Sequence, residues 1–170
     1  MLKIQSINSI EAIKMAIQCE VDMAKYYEDV CCLIQNDDSL AILHGLASTR
    51  VRRRHELIRL YSKLCGKKIL YLNLGRKHKL NSLQTCPDNA FDAITVAKKN
   101  EKEVKLFYTT VSRRLLEPEL RQFFRDMVIQ EDQYSTLLES SFEEPVLLDN
   151  EPVTQKSDVL KTMASTATLY

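Results

Sequence analysis

The sequence predicts an all-α protein, an antiparallel four-helix bundle with a long crossover between its second and third helices. Three observations point there. The 170 residues include only three Gly, four Pro and no Trp, and a chain this poor in turn formers favours a few long helices over many short strands. Apolar residues recur at steps of three and four through four separate segments, the period of a helix with one buried face. The second and third segments are joined by about twenty residues, too long for a hairpin and suited to a crossover along the side of a bundle.

The first segment begins near "NSIE", where Asn8 and Glu11 have capping-box spacing. Its inward positions run Ile10, Ile13, Ile17, Ala24, Tyr27, Cys31 and Ile34, and the one that breaks the apolar pattern is Glu20. The second follows "NDDS" at 36–39, which is rich in capping residues. Its stripe is Leu43, Leu46, Arg50, Arg53, Leu57, Leu60 and Leu64, and Gly66 is the C-terminal cap. Residues 66–87, "GKKILYLNLGRKHKLNSLQTCP", form the crossover.

The third segment is capped by Asp88 or Asn89, and its stripe is Ile94, Ala97, Glu101, Val104, Tyr108, Val111 and Leu115. The fourth starts at "EPEL", with Pro118 in a first-turn position, and buries Leu120, Phe124, Met127, Glu131, Tyr134 and Leu138. Periodicity fades after about residue 142. The bundle is therefore assigned to 1–141, and 142–170 reads as a tail that is partly disordered or docked on the bundle.

The chain also repeats itself. "AIQCEVDMAKYYEDV" (16–30) resembles "AKKNEKEVKLFYTTV" (97–111), which places Glu20 on Glu101 and Tyr27 on Tyr108. With no gap, Leu43 falls on Phe124, Arg50 on Glu131, Arg53 on Tyr134 and Leu57 on Leu138. Two helical hairpins with polar residues at matching core positions imply a pseudo-symmetric bundle.

Charge is unevenly spread although the net charge is only +1. Residues 1–47 carry three Lys and seven acids, whereas 48–82 carry eleven Lys or Arg and a single acid, Glu56. A run of this kind is usually a solvated face. A weak anion- or nucleic-acid-binding reading attaches to Lys67, Lys68, Arg76, Lys77, His78 and Lys79, with Arg54 and Arg59 on the second helix and Tyr71 as a nearby aromatic. No nucleic-acid motif accompanies it, and there is no Gly-rich phosphate loop.

The five cysteines, Cys19, Cys31, Cys32, Cys65 and Cys86, form no CxxC pair and are odd in number. Small buried hydrophobes in a reduced, cytoplasmic protein are the simplest reading. No apolar run approaches the ~18 residues a membrane span needs. His44 and His78 read as ordinary helix or loop residues.

Glu20, Glu101 and Glu131 all interrupt apolar stripes. Three buried carboxylates at mid-bundle repel one another and need positive charge. Bundles commonly supply it as a metal pair, held by one Glu on each of two helices and a Glu-x-x-His on each of the others. On "E-x5-YY" at Glu20, "E-x5-FY" at Glu101 and "EPELRQFFRDMVIQEDQY" (117–134), the chain resembles the ferritin-like superfamily, specifically the rubrerythrin-like branch of di-iron carboxylate proteins. The resemblance covers roughly residues 8–140 and implies a di-iron site with redox or peroxidase chemistry.

The ligand set is broken. Glu131 is present, but Tyr134 stands at the His position, and Arg50 and Arg53 stand where the resemblance implies Glu and His. Three Glu remain of four Glu and two His, and one phenol does not restore the rest. A second register, with two residues inserted before the second helix, turns Arg52 and His55 inward, where Glu20, His55, Glu101 and Glu131 could hold a single ion. That register makes the stripe far less apolar.

In the gapless register the guanidiniums of Arg50 and Arg53 replace a metal's charge. The expectation is therefore a ferritin-like bundle with a degenerate di-iron site. It is non-catalytic and without a cofactor, and Tyr134 donates to the carboxylate cluster. An atypical iron or other divalent-metal oxidoreductase is the alternative. The resemblance also implies self-association.

Overall fold

The computed structural model describes residues 8–69, 74 and 76–142. Among them are four α-helices, one 3-10 turn and no strand. Helix α1 spans Ser9–Cys31, α2 Asp37–Cys65, α3 Ala90–Arg114 and α4 Pro118–Ser141, and the 3-10 turn is Arg76–His78. α1 packs along α2, α3 along α4, and α1 against α3. No described helix is long and apolar enough to cross a membrane.

The helix ends follow from local chemistry. Asn8 Oδ1 accepts from the backbone N–H of Ile10 at 2.9 Å and of Glu11 at 3.1 Å, which satisfies donors left open at the start of α1. Glu11 does not close the expected capping box. Its carboxylate turns outward to Lys14 at 3.0 Å, His78 at 3.1 Å and Lys77 at 3.4 Å. Asn36 caps α2 through Ser39 N–H at 2.9 Å, and α2 stops at Gly66, whose φ of 65° is left-handed and costs glycine little. Asn89, not Asp88, caps α3. Pro118 opens α4, and the preceding Glu117 takes the Ser9 hydroxyl at 2.8 Å, joining the first turns of α1 and α4.

The core follows the periodic stripes. Ile13, Ile17, Leu43, Leu57, Ala97, Val104, Phe124 and Leu138 are essentially sealed from solvent. Each large aliphatic side chain so buried stabilises by roughly 1.5–3 kcal/mol relative to exposure. The α2 stripe departs from expectation at its end. Leu64 is 44% exposed and Leu60 only half-buried, while Tyr61 packs into the core. A helix of 3.6 residues per turn drifts against a strict three-four alternation, so the next inward position after Leu57 is four residues on.

Two clamps hold the segment between α2 and α3 to the helices. His78, expected to be an ordinary residue, is buried and bonds Glu11 on α1. Lys14, with His78 and Lys77 beside it, holds the Glu11 carboxyl down at about 2. Buried Asn100 on α3 pairs both ways with the Gln84 backbone, accepting its N–H at 2.9 Å and donating to its carbonyl at 3.0 Å. Helix α4 ends at Ser141. Phe142 is buried, and its carbonyl accepts from Lys98 at 3.1 Å. The rest of the tail, 143–170, lies outside the described residues, as does Tyr71.

Candidate functional site

Five charged side chains meet at the centre of the bundle, each essentially without solvent contact: Glu20 from α1, Arg50 and Arg53 from α2, Glu101 from α3 and Glu131 from α4. Arg50 is the hub. Its Nη1 and Nη2 donate in parallel to the two carboxylate oxygens of Glu131, each at 2.8 Å. Nη2 also donates to Glu101, and Nη1 stands 3.5 Å from both oxygens of Glu20. Arg53 donates from Nη1 to Glu131, and its Nε lies 3.6 Å from Glu20. A guanidinium suits this place because it stays charged when buried and its planar fork matches carboxylate geometry.

Two tyrosines complete the centre. Tyr27 donates its hydroxyl to Glu101, and Tyr108 donates its hydroxyl to Glu20. Tyr134 joins differently from expectation. It is half-buried and offers its ring face, with the Arg50 guanidinium 5.4 Å and the Arg53 guanidinium 5.6 Å from the ring centroid. The expected donor is Tyr134, whereas Tyr27 and Tyr108 are expected only as inward stripe positions. The available signal was the repeat itself. Tyr27 and Tyr108 each lie seven residues after a core Glu, two turns along the same helix face.

The electrostatics follow from burial and count. Three carboxyl groups face two guanidiniums. Burial drives the Glu101 carboxyl up, with the Glu131 charge adding to it and Arg50 opposing, so that it reaches about 8. The direction of that shift favours the neutral acid and so brings three carboxyls and two guanidiniums toward balance. Burial also works against the charge on Glu131, but Arg50 and Arg53 outweigh it and hold that carboxyl at about 2. Arg50 stays firmly charged, because the three carboxyls overcome the burial that opposes it.

Neither register of ligands assembles around a metal. Arg52 and His55 are exposed on the outer face of α2, so the alternative set of Glu20, His55, Glu101 and Glu131 does not come together. Turning His55 inward would bring Arg50 and Arg53 out and leave Glu131 without its partners. In the gapless register, carboxylate lone pairs a divalent ion would need are taken by N–H and O–H donors, and a cation stands between the carboxylates. Among the described residues no group of three His, Cys, Asp or Glu is arranged to hold a metal. The residues present do not fit a di-iron or mononuclear centre.

The remaining candidates lie apart. Lys67, Lys68, Lys77 and Lys79 are exposed, and the Arg76 side chain lies outside the described residues. A cavity of about 250 Å³ opens between α1 and residues 79–86, lined by Asp22, Tyr26, Lys79, Leu83 and Cys86 among others, and none of the central charges reaches it. All five cysteines are free, but only Cys19 is fully buried; Cys31, Cys65 and Cys86 are half-buried and Cys32 is exposed.

The fold and centre define a protein whose described residues form a helical bundle around a buried ion-pair network. No protein-family model matches the sequence, and no curated protein matches it. Among solved structures, a hypothetical protein from Pyrococcus furiosus is similar at a TM-score of 0.68 and 22% identity, over 81% of this chain and 89% of that one. A conserved hypothetical protein from Mycobacterium tuberculosis is similar at 0.62 and 16%, over 86% and 95%. These likenesses concern the fold alone.

Proposed function

We propose that the chain is a ferritin-like bundle of the rubrerythrin-like type in which an arginine–glutamate network has replaced the di-iron centre, leaving a non-catalytic protein that acts through its surface. The bonding pattern supports the antiparallel arrangement. Tyr27 reaches Glu101 while Glu20, earlier on α1, reaches Tyr108, later on α3. On this reading α1 and α3 run in opposite senses, and the link from α2 to α3, held by His78 and Asn100, is a crossover along the bundle.

The observation that carries the reading is Arg50, fully buried and bonded to Glu131 and Glu101 where a bridging metal would stand. Free cysteines, one of them exposed, suit a reducing cytoplasm. Elemental analysis for Fe, Mn and Zn on the purified protein, followed by calorimetric titration with each ion, tests the reading. The expected result is no stoichiometric metal and no saturable heat; about two equivalents of iron, the number a carboxylate bundle site holds, would sink it.

A further inference from the structure

The sequence repeat is also a repeat in space. Arg50 and Glu131 are repeat equivalents and bond each other, and Arg53 lies over the ring of its equivalent, Tyr134, at 5.6 Å. The two Tyr-to-Glu bonds are also equivalents and are exchanged between hairpins, Tyr27 to Glu101 and Tyr108 to Glu20. An approximate two-fold therefore relates the α1–α2 hairpin to the α3–α4 hairpin. A surface that pairs across a two-fold is self-complementary in shape. By shape alone, each hairpin's inner face would accept another copy of itself.

Charge forbids this. The α1–α2 hairpin brings Arg50, Arg53 and Glu20 to the interface, and the α3–α4 hairpin brings Glu101 and Glu131. Two copies of the first hairpin would set Arg50 against Arg50, with four guanidiniums for two carboxyls. Two copies of the second would set Glu131 against Glu131, with four carboxyls and no guanidinium. Only unlike hairpins give each Arg a carboxylate. Buried charges of this kind are poor sources of net stability, and their best-attested use is to fix register and partner.

We infer that the buried charges are a pairing code, by which each hairpin accepts its unlike partner and rejects its own copy. Two copies of this chain can then join through the core surface only by exchanging hairpins, each core taking one hairpin from each chain. The inference rests on the network being structural, and it adds what the network selects.

The test uses full-length chains, refolded from denaturant and examined by size-exclusion chromatography with light scattering. Wild type is expected to return to one species. A variant with an apolar centre (Glu20→Leu, Arg50→Met, Arg53→Met, Glu101→Leu and Glu131→Leu) is expected to stay helical but to return as several assembly states. A single wild-type-like species from that variant overturns the code.

Should the apolar variant fail to fold, the code is moved to the other hairpin by Arg50→Glu, Arg53→Tyr, Glu131→Arg and Tyr134→Arg together. This chain is expected to recover the single species, whereas Arg50→Glu with Arg53→Tyr alone, which leaves both hairpins acidic, loses it. A full exchange no better than the half exchange also overturns the code. Metal analysis of the wild type is independent of these outcomes, so a failed pairing code and a failed reading of the centre are told apart.

Discussion

Arg50 and Glu131 face each other through two parallel hydrogen bonds of 2.8 Å at positions the internal repeat makes equivalent. One repeat position is thus a cation in one hairpin and an anion in the other. The carboxylates that would otherwise repel at mid-bundle depend on that guanidinium.

Removing the cation while leaving the acids is therefore costly. Arg50→Met is expected to destabilise by about 3–5 kcal/mol, because it strands buried carboxylates. Arg52→Met, on the exposed face of the same helix, should stay within about 0.5 kcal/mol of wild type. Urea denaturation of both proteins measures the contrast, and equal midpoints would count against the buried network.

Stability should fall as pH rises through neutrality. Glu101 holds its proton to about 8 when folded, against an ordinary value of 4.5. Folding takes up a proton between those limits, so this group's contribution is fully present below about 4.5 and is lost as pH approaches 8. Glu131 acts oppositely: its folded value of about 2 means that its contribution is lost as pH falls from 4.5 toward 2. Glu101→Gln keeps a neutral group of similar shape and should flatten the alkaline slope of Tm. The same slope in variant and wild type would show that Glu101 is not the group responsible.

The exchanged tyrosines make a third prediction. Tyr27→Phe and Tyr108→Phe should each cost about 1–3 kcal/mol, since each leaves a buried carboxyl short of a donor. Tyr134→Phe retains the ring that faces both guanidiniums and should cost less than either. Thermal melts of the three variants rank them.

Thiol reactivity reports the same packing. Cys32 is exposed, whereas Cys19 is fully buried and burial pushes its thiol up. A disulfide reagent is expected to modify Cys32 promptly and Cys19 only as the bundle unfolds. Mass mapping of the labelled peptides over time resolves the two.

Much of this protein is written locally. The caps at Asn8, Asn36, Asn89 and Gly66 and the period of the apolar stripes depend on neighbours a few residues away. They place four helices and turn Glu20, Arg50, Arg53, Glu101 and Glu131 inward. The repeat adds which of those residues are equivalent.

What the sequence could not contain is distance across the bundle. Periodicity tells which face a residue occupies, not what stands opposite, so Tyr134 was legible as part of the centre but not as a ring under two guanidiniums. The same limit hid Tyr27 and Tyr108 as donors and His78 as a clamp on Glu11. The upward push on the Glu101 carboxyl is a property of the assembled fold. It exists because four helices exclude water and bring three carboxyls to two guanidiniums, and neither burial nor that count is complete until all four have packed.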